Sequence, residues 1–201
     1  MHGSIIAGHT KTELVWVYDI LEDNAITTAN TTQAQVAKSL DEIFEDDSLD
    51  AVLIASSTET HAELIVQAAK AGKAVFCEKP IDLDIKRVDW CREQIQGLQV
   101  PIQIGFNRRF DPSHRKVADT ARDGGIGNLE QVIITSRDPN PPPKEYYLAA
   151  GGMFRDMTIH DFDMARYVLN EEVETVMAVS ATLFDPVAVS YTHLRAHETV
   201  M

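Results

Sequence analysis

Short apolar runs alternate with longer amphipathic stretches through the first half of the chain. The apolar runs are rich in β-branched residues and predict strands, which lie at 13–19, 51–55, 74–77 and 102–105. The amphipathic stretches predict helices, which lie at 1–8, 41–44, 60–71 and 84–96. The polar, threonine-rich stretch 22–35 gives no prediction. Strands and helices in alternation predict an α/β fold with a parallel sheet covered on both faces.

The pattern changes beyond Gly105. A helix is predicted over 112–122 and an alternating strand over 129–136. The run 138–143 contains four prolines and cannot join a sheet ladder, so a loop is predicted there. A helix that carries Asp156 and His160 follows, and then a strand over 173–183. These elements predict a second domain of α+β type, with the boundary close to Gly105.

Composition excludes several classes of partner. The 31 acidic and 18 basic residues give a net charge of −13, which would repel a phosphate backbone, so no nucleic acid is expected to bind. Cys77 and Cys91 form no metal-binding or disulfide pattern, so we expect no metal and a reducing, cytoplasmic location. The first residues do not resemble a signal peptide, and no apolar run is long enough to span a membrane.

Ligands of open parallel sheets bind beyond the carboxyl ends of the strands. Asp19 follows the first predicted strand, where an acid can accept both hydrogen bonds of an adenosine ribose and repel a ribose phosphate. This position favours NAD over NADP as a cofactor. Alternatively, Asp19 caps the turn that follows its strand.

Three further residues near the predicted strand ends raise similar alternatives. Lys79 could donate a hydrogen bond to a hydroxyl and stabilise a developing alkoxide, or it could form a solvated pair with Glu78. His61 could line the ligand crevice or simply belong to the start of its helix. Cys77 ends an apolar strand, so we expect it to be a packing residue.

The candidate chemistry of the second half lies in the stretch 151–166. Asp156 and His160 are four residues apart, a spacing that places both on one face of a helix. A carboxylate one turn before an imidazole can fix the ring's tautomer, so the pair could form a general base. The alternatives are a surface Asp–His pair and a buried histidine with satisfied hydrogen bonds.

Four motifs together resemble the glucose–fructose oxidoreductase/inositol dehydrogenase (Gfo/Idh/MocA) family. They are Asp19, the tripeptide 78–80, the stretch 105–111 and the stretch 151–166, and the resemblance extends over about residues 1–185. The last stretch, with 136–139 ahead of it, is most similar to the myo-inositol 2-dehydrogenase branch. The resemblance implies a Rossmann-like domain over 1–108, then an α+β domain with an open sheet over 109–189. It also implies a homo-oligomer when the protein is intact.

The chain departs from the family pattern at both ends. It contains no G-x-G-x-x-G turn, whose backbone amides would hold a pyrophosphate. Residues 1–3 resemble the point just after that turn, so we expect the first strand and the glycine-rich turn to be missing. The stretch 190–201 resembles no part of the family and is expected to be a non-native tail.

The resemblance also implies roles for individual residues. Lys79, Asp156 and His160 correspond to the family's catalytic set. The cofactor contacts correspond to Asp19 and Glu78, and more loosely to Ser56 and Thr58. Arg108 matches a substrate-side position, with Arg109 as its alternative, and we expect Asp138 and Asp163 to contact a polyol as well.

The expected activity is NAD-dependent oxidation of a secondary alcohol in a cyclic polyol, with myo-inositol as the substrate. A dehydrogenase of another sugar or sugar derivative is an alternative within the same family. A catalytically silent nucleotide-sensing relative is an alternative of a different class. The joint presence of Lys79, Asp156 and His160 argues against the silent relative, since such a protein need not keep all three.

Overall fold

The computed structural model describes residues 1–137, 146, 150–180 and 194–197. The chain divides into two compact units, Met1–Ile104 and Gly105–Met201. Every helix in the described ranges is too short or too polar to cross a bilayer.

The first unit alternates strands with helices and confirms the predicted α/β fold. Its helices are α1 to α5, at His2–Gly8, Glu22–Thr32, Leu40–Phe44, Thr58–Lys70 and Ile85–Ile95. Its strands are β1 to β5, at Trp16–Val17, Gln35–Val36, Ala51–Ile54, Ala74–Cys77 and Ile102–Ile104. β1 pairs with β2, and β4 lies between β3 and β5, all in parallel.

An apolar core lies between the three-stranded sheet and helices α4 and α5. Its buried members include Ile54, Ile65 and Val75, together with both cysteines. Burial raises the pKa of the Cys77 thiol to about 12, so this residue is a packing residue and not a nucleophile. The core fixes α4 against the sheet, which sets the position of the loop that precedes this helix.

Helix α2 occupies the threonine-rich stretch that gave no prediction. Threonine hydroxyls bond backbone carbonyls one turn earlier, as Thr27 does to Asp23 at 2.7 Å and Thr32 to Thr28 at 2.7 Å. Ala25 and Ala29, four residues apart, are buried on the inner face. Two alanines are a weak apolar pattern, which is why periodicity did not reveal this helix.

The second unit contains α6, Pro112–Arg122, and α7, Ile159–Leu169, which pack around Ala118, Met164 and Val168. A short 3₁₀ helix, Asn107–Phe110, precedes α6, and a π-helical turn, Phe154–Thr158, leads into α7. Strands β6, Met177–Ser180, and β7, Leu194–His197, pair in antiparallel fashion.

The strand predicted over 129–136 is wrong, because the structure assigns no strand there. Leu129 and Val132 pack against the α6–α7 core, while Ile133 is 79% exposed. The packing residues are thus three apart, and no strand in the described residues pairs with this segment. The proline-rich loop over 138–143 lies outside the described residues, and only 177–180 of the last predicted strand is assigned as strand.

Asp46 connects the two parallel sheets of the first unit. Its Oδ2 accepts a hydrogen bond from Trp16 Nε1 of β1 at 2.8 Å. Its backbone oxygen accepts one from Nζ of the buried Lys73 at 2.6 Å, directly before β4. Hydrogen bonds from Ser48 and Trp16 lower the pKa of Asp46 to about 2.

We predict that Asp46→Asn destabilises the protein at neutral pH, because one amide oxygen cannot replace two carboxylate oxygens. A carboxyl group with a lowered folded-state pKa stabilises the fold above its unfolded pKa near ~3.9, and this contribution is lost as pH falls. The difference between wild type and variant should therefore shrink between about pH 4 and about pH 2, as measured by urea unfolding. Asp47→Asn, at an exposed neighbour, is the matched control. A pH-independent difference would contradict the prediction.

Candidate active site

Parallel pairing brings two candidate loops to one edge of the first unit. Ile54 and Cys77, the last residues of β3 and β4, are register partners. The amide of Glu78 continues this ladder by donating to the Ile54 carbonyl at 2.9 Å. The predicted residues Ser56, Thr58, Glu78 and Lys79 therefore all leave the sheet at the same edge.

Asp19 follows β1 and holds the turn that enters α2. Its Oδ1 accepts hydrogen bonds from the Leu21 amide at 2.9 Å and from Asn24 Nδ2 at 3.4 Å. This arrangement corresponds to the capping alternative of the sequence analysis. A carboxylate has about four lone-pair sites, so the cap leaves capacity for a ribose contact as well.

The loop after β3 is hydroxyl-rich and leads directly into α4. Ser56 Oγ and Thr60 Oγ1 are 2.6 Å apart, and Thr58 is the first residue of the helix. Hydroxyl groups at this position can donate to or accept from a ligand. The cofactor contacts expected of Ser56 and Thr58 stay a prediction.

Glu78 contacts the start of α1. Its Oε1 lies 2.8 Å from Nε2 of His2, and the His2 ring also packs against Phe76 with centroids 6.1 Å apart. The next two residues, Lys79 and Pro80, are joined by a cis peptide bond. The contact with His2 was not predicted, because nothing in the local sequence relates residues so far apart.

A π-helical turn replaces the regular α-helix expected around Asp156. Gly151 and Gly152 precede it with φ of 73° and 87°, a left-handed conformation that glycine adopts readily. The carbonyl of Gly152 accepts the Asp156 amide at 3.0 Å. Asp156 lies in this turn, and His160 lies in α7. Such π-helical turns are frequent at functional sites.

Aromatic groups contact both members of this pair. The Tyr146 hydroxyl donates to Asp156 Oδ2 at 2.9 Å. The Phe106 ring stands edge-on to the His160 ring, with centroids 6.4 Å apart and planes at 87°. Neither contact was visible from the sequence, since both join separate segments of the chain.

Two ion pairs anchor the 3₁₀ helix to α7, on either side of Phe162. Arg108 binds Asp161, which also accepts from Ser136 Oγ at 2.7 Å. Arg109 binds both oxygens of Asp163, with Nε to Oδ2 at 2.8 Å, and Asp163 is only 5% exposed. These bonds raise the pKa of the Arg109 guanidinium. The sequence predicted Arg108 and Asp163 as substrate contacts; the structure places each in an ion pair within the second unit.

Asp138, expected to contact the substrate, lies outside the described residues. Within the described ranges, no three His, Cys, Asp or Glu side chains are grouped so that they could hold a metal ion.

Two family models match the chain in succession. The first is described as an oxidoreductase family with an NAD-binding Rossmann fold and matches residues 1–106. The second is described as the GFO/IDH/MocA C-terminal domain and matches residues 114–199. The matches cover both structural units.

Individual inositol dehydrogenases are also similar to this chain in sequence or in structure. The inositol 2-dehydrogenase of Rhizobium meliloti is 46% identical over 185 residues, which is 92% of this chain and 56% of that protein. A crystal structure of a myo-inositol dehydrogenase from Corynebacterium glutamicum is 44% identical, with a TM-score of 0.87 over 93% of this chain and 56% of its own. The scyllo-inositol dehydrogenase of Lactobacillus casei, solved with NAD(H) and scyllo-inositol, is 27% identical, with a TM-score of 0.76 over 93% and 57%. The chain spans about half the length of the relatives it matches.

We predict that the Arg109–Asp163 pair is a major stabilising interaction of the second unit. Asp163→Asn removes the buried charge that binds the Arg109 guanidinium through both carboxylate oxygens and should cost about 2 kcal/mol in chemical denaturation. Arg166 and Glu172 form the matched control, because this pair has similar geometry but side chains 48% and 79% exposed. Double-mutant cycles on both pairs should give a larger coupling energy for Arg109–Asp163 than for Arg166–Glu172, for which we expect about 0.5 kcal/mol. Equal coupling in both pairs would contradict the prediction.

Proposed function

The chain belongs to the GFO/IDH/MocA oxidoreductase family, and from this premise we propose that its protein oxidises a secondary alcohol of a cyclic polyol with NAD. The proposed substrate is myo-inositol, and the product is the ketone at its carbon 2. The observation that carries the proposal is the match of both units to a family whose similar members are inositol dehydrogenases. The chain also has Lys79, Asp156 and His160 in the order expected of a catalytic set.

The residues of the first unit fit a dinucleotide cofactor. An acid follows β1, hydroxyl groups follow β3, and both belong to a parallel α/β unit of the kind that binds such ligands. We propose that Asp19 binds the adenosine ribose and that Ser56, Thr58 and Glu78 make further cofactor contacts. When bound, NAD would supply the acceptor for the hydride that leaves the carbinol carbon.

Three side chains are proposed to act on the reacting oxygen. His160 removes the hydroxyl proton as a general base, and Asp156 fixes the tautomer of its ring and offsets its charge. Lys79 donates a hydrogen bond to the same oxygen as negative charge builds on it. The contact between Phe106 and His160 restricts the plane of the ring, which supports a positioned base.

Arg108, Asp138 and Asp163 remain proposed polyol contacts. Arg108 and Asp163 each form an ion pair. A substrate hydroxyl that binds Asp163 would have to share this carboxylate with the two hydrogen bonds from Arg109. Arg108 is 27% exposed in its side chain and keeps further N–H donors beyond its bond to Asp161. Arg108 is therefore the better supported of the two.

The remaining parts of the proposal concern organisation and location. We propose that 1–108 forms the cofactor domain, that 109–189 forms the substrate and oligomerisation domain, and that the intact protein is a homo-oligomer. Both cysteines are buried thiols, which suits a reducing compartment, so we place the protein in the cytoplasm.

The activity is tested by following NADH formation with myo-inositol, scyllo-inositol, glucose and a sugar phosphate. We expect the highest kcat/KM with an inositol and with NAD instead of NADP. Preference for another sugar would identify a different dehydrogenase of the same family. NAD binding without turnover of any polyol would point to a nucleotide-sensing relative and overturn the proposal.

We predict that His160→Ala lowers kcat by about 10²- to 10⁴-fold, the usual contribution of general-base assistance. Steady-state kinetics at saturating NAD measure this change. His9→Ala, at an exposed histidine of the first unit, is the matched control and should retain wild-type turnover. Near-full turnover in His160→Ala would rule out the assignment.

We predict that Asp19→Asn weakens the preference for NAD over NADP by about tenfold or more, since about 1.4 kcal/mol of charge repulsion is removed. Asparagine can still accept the Leu21 amide, so the turn into α2 should persist. The ratio of kcat/KM for the two cofactors measures the effect. Asp23→Asn, at an exposed acid of α2, is the control. An unchanged ratio would show that Asp19 only caps the turn.

A further inference from the structure

One buried side chain joins the two loops at the carboxyl edge of the first unit. His61 lies in the first turn of α4 and is only 2% exposed. Its Nδ1 is 2.8 Å from the carbonyl oxygen of Pro80, and its Nε2 is 3.0 Å from the carbonyl oxygen of Ser56. Both ring nitrogens thus face backbone acceptors from different loops.

We infer that His61 is a positioning residue, which holds the Lys79–Pro80 turn and the Ser56 loop in the arrangement needed for dehydrogenation. This inference rests on the proposed function. His61 acts through these two loops and is not assigned a contact with substrate or cofactor.

The chemistry of the ring explains why histidine suits this position. Carbonyl oxygens only accept hydrogen bonds, so the imidazole must act as the donor at either contact. A neutral ring donates to one carbonyl at a time, and a protonated ring donates to both. An apolar side chain at this position would remove the donor, so the two carbonyl groups would lose this hydrogen-bond partner.

The two carbonyl groups belong to backbone next to the proposed site residues. Pro80 directly follows Lys79, so anchoring the Pro80 carbonyl restrains the backbone from which the lysine side chain extends. Ser56 precedes the start of α4, and its hydroxyl contacts Thr60 at 2.6 Å. Small displacements of groups around a reacting centre can reduce rates by about 10²-fold.

The kinetic test compares three variants of the protein. His61→Leu should lower kcat/KM by about 10- to 100-fold, because Lys79 and the cofactor loop are no longer held. His61→Gln keeps a side-chain N–H donor and should recover at least part of this loss. Val66→Ala, at another buried position in the same helix, lowers stability through the apolar core and should keep kcat and KM within about twofold.

The outcomes separate a positioning role from a merely structural one. If Val66→Ala at matched stability reduces kcat/KM as much as His61→Leu, or if His61→Gln is no better than His61→Leu, the inference is overturned. Selective loss in His61→Leu with recovery in His61→Gln supports it.

A spectroscopic readout tests the hydrogen bonds without catalysis. In nitrogen-15 NMR of histidine-labelled protein, a His61 ring N–H signal should be protected from exchange with water, unlike that of the exposed His9. Rapid exchange at His61 would overturn the inference even in an active enzyme. Conversely, the wild-type protein could oxidise no polyol and still show the protected signal. That result would overturn the proposed function, while the hydrogen bonds of His61 to the two loops would stand.

Discussion

Parallel pairing of β3 with β4 is the constraint on which the candidate cofactor site depends. Because Ile54 and Cys77 are register partners, the chain segments that follow them emerge side by side. Hydrophobic packing of α4 on this sheet then fixes the hydroxyl-rich loop before the helix. Backbone hydrogen bonds and apolar burial thus place the polar residues, which contribute little to the core themselves. The site is a consequence of the register, and His61 adds a direct link between its two loops.

Ion pairs position the candidate site residues of the second unit, whereas backbone pairing of strands positions those of the first unit. Arg108 and Arg109 each bind an acid of α7, and these acids lie one and three residues beyond His160. Since Phe106 belongs to the same short segment as the arginines, the ion pairs also fix the aromatic ring that contacts the histidine. Asp163 is buried, so loss of Arg109 would leave its charge desolvated and unpaired. The position of the proposed base is therefore sensitive to changes that do not touch it.

Sequence patterns predicted the regular helices and strands of this protein well, but they predicted its irregular turns and long-range contacts poorly. The strand at 74–77 and the helix at 112–122 agree with the structure residue for residue, because strong apolar periodicity and clear caps define them. The strand expected over 129–136 does not form, since alternation alone cannot supply a pairing partner. The π-helical turn at Asp156 is equally invisible, because helix-like composition does not distinguish hydrogen bonds to the fourth residue from those to the fifth. The contacts of His61 with Pro80, of Glu78 with His2 and of Asp163 with Arg109 join segments distant in sequence, which periodicity does not relate.

Hydrogen bonds to Asp46 connect the two parallel sheets of the first unit. Within the described residues, β1 and β3 share no ladder, so the edge that bears Asp19 is not fixed by strand pairing to the edge that bears Glu78. Asp46 instead connects β1 through Trp16 and the start of β4 through Lys73. Side-chain links of this kind are individually weaker than a continuous ladder, because each contributes about 1 kcal/mol or somewhat more when charged. We therefore expect Asp19, the acid proposed to bind the ribose, to be positioned less rigidly than the residues after β3 and β4, whose geometry the shared sheet determines.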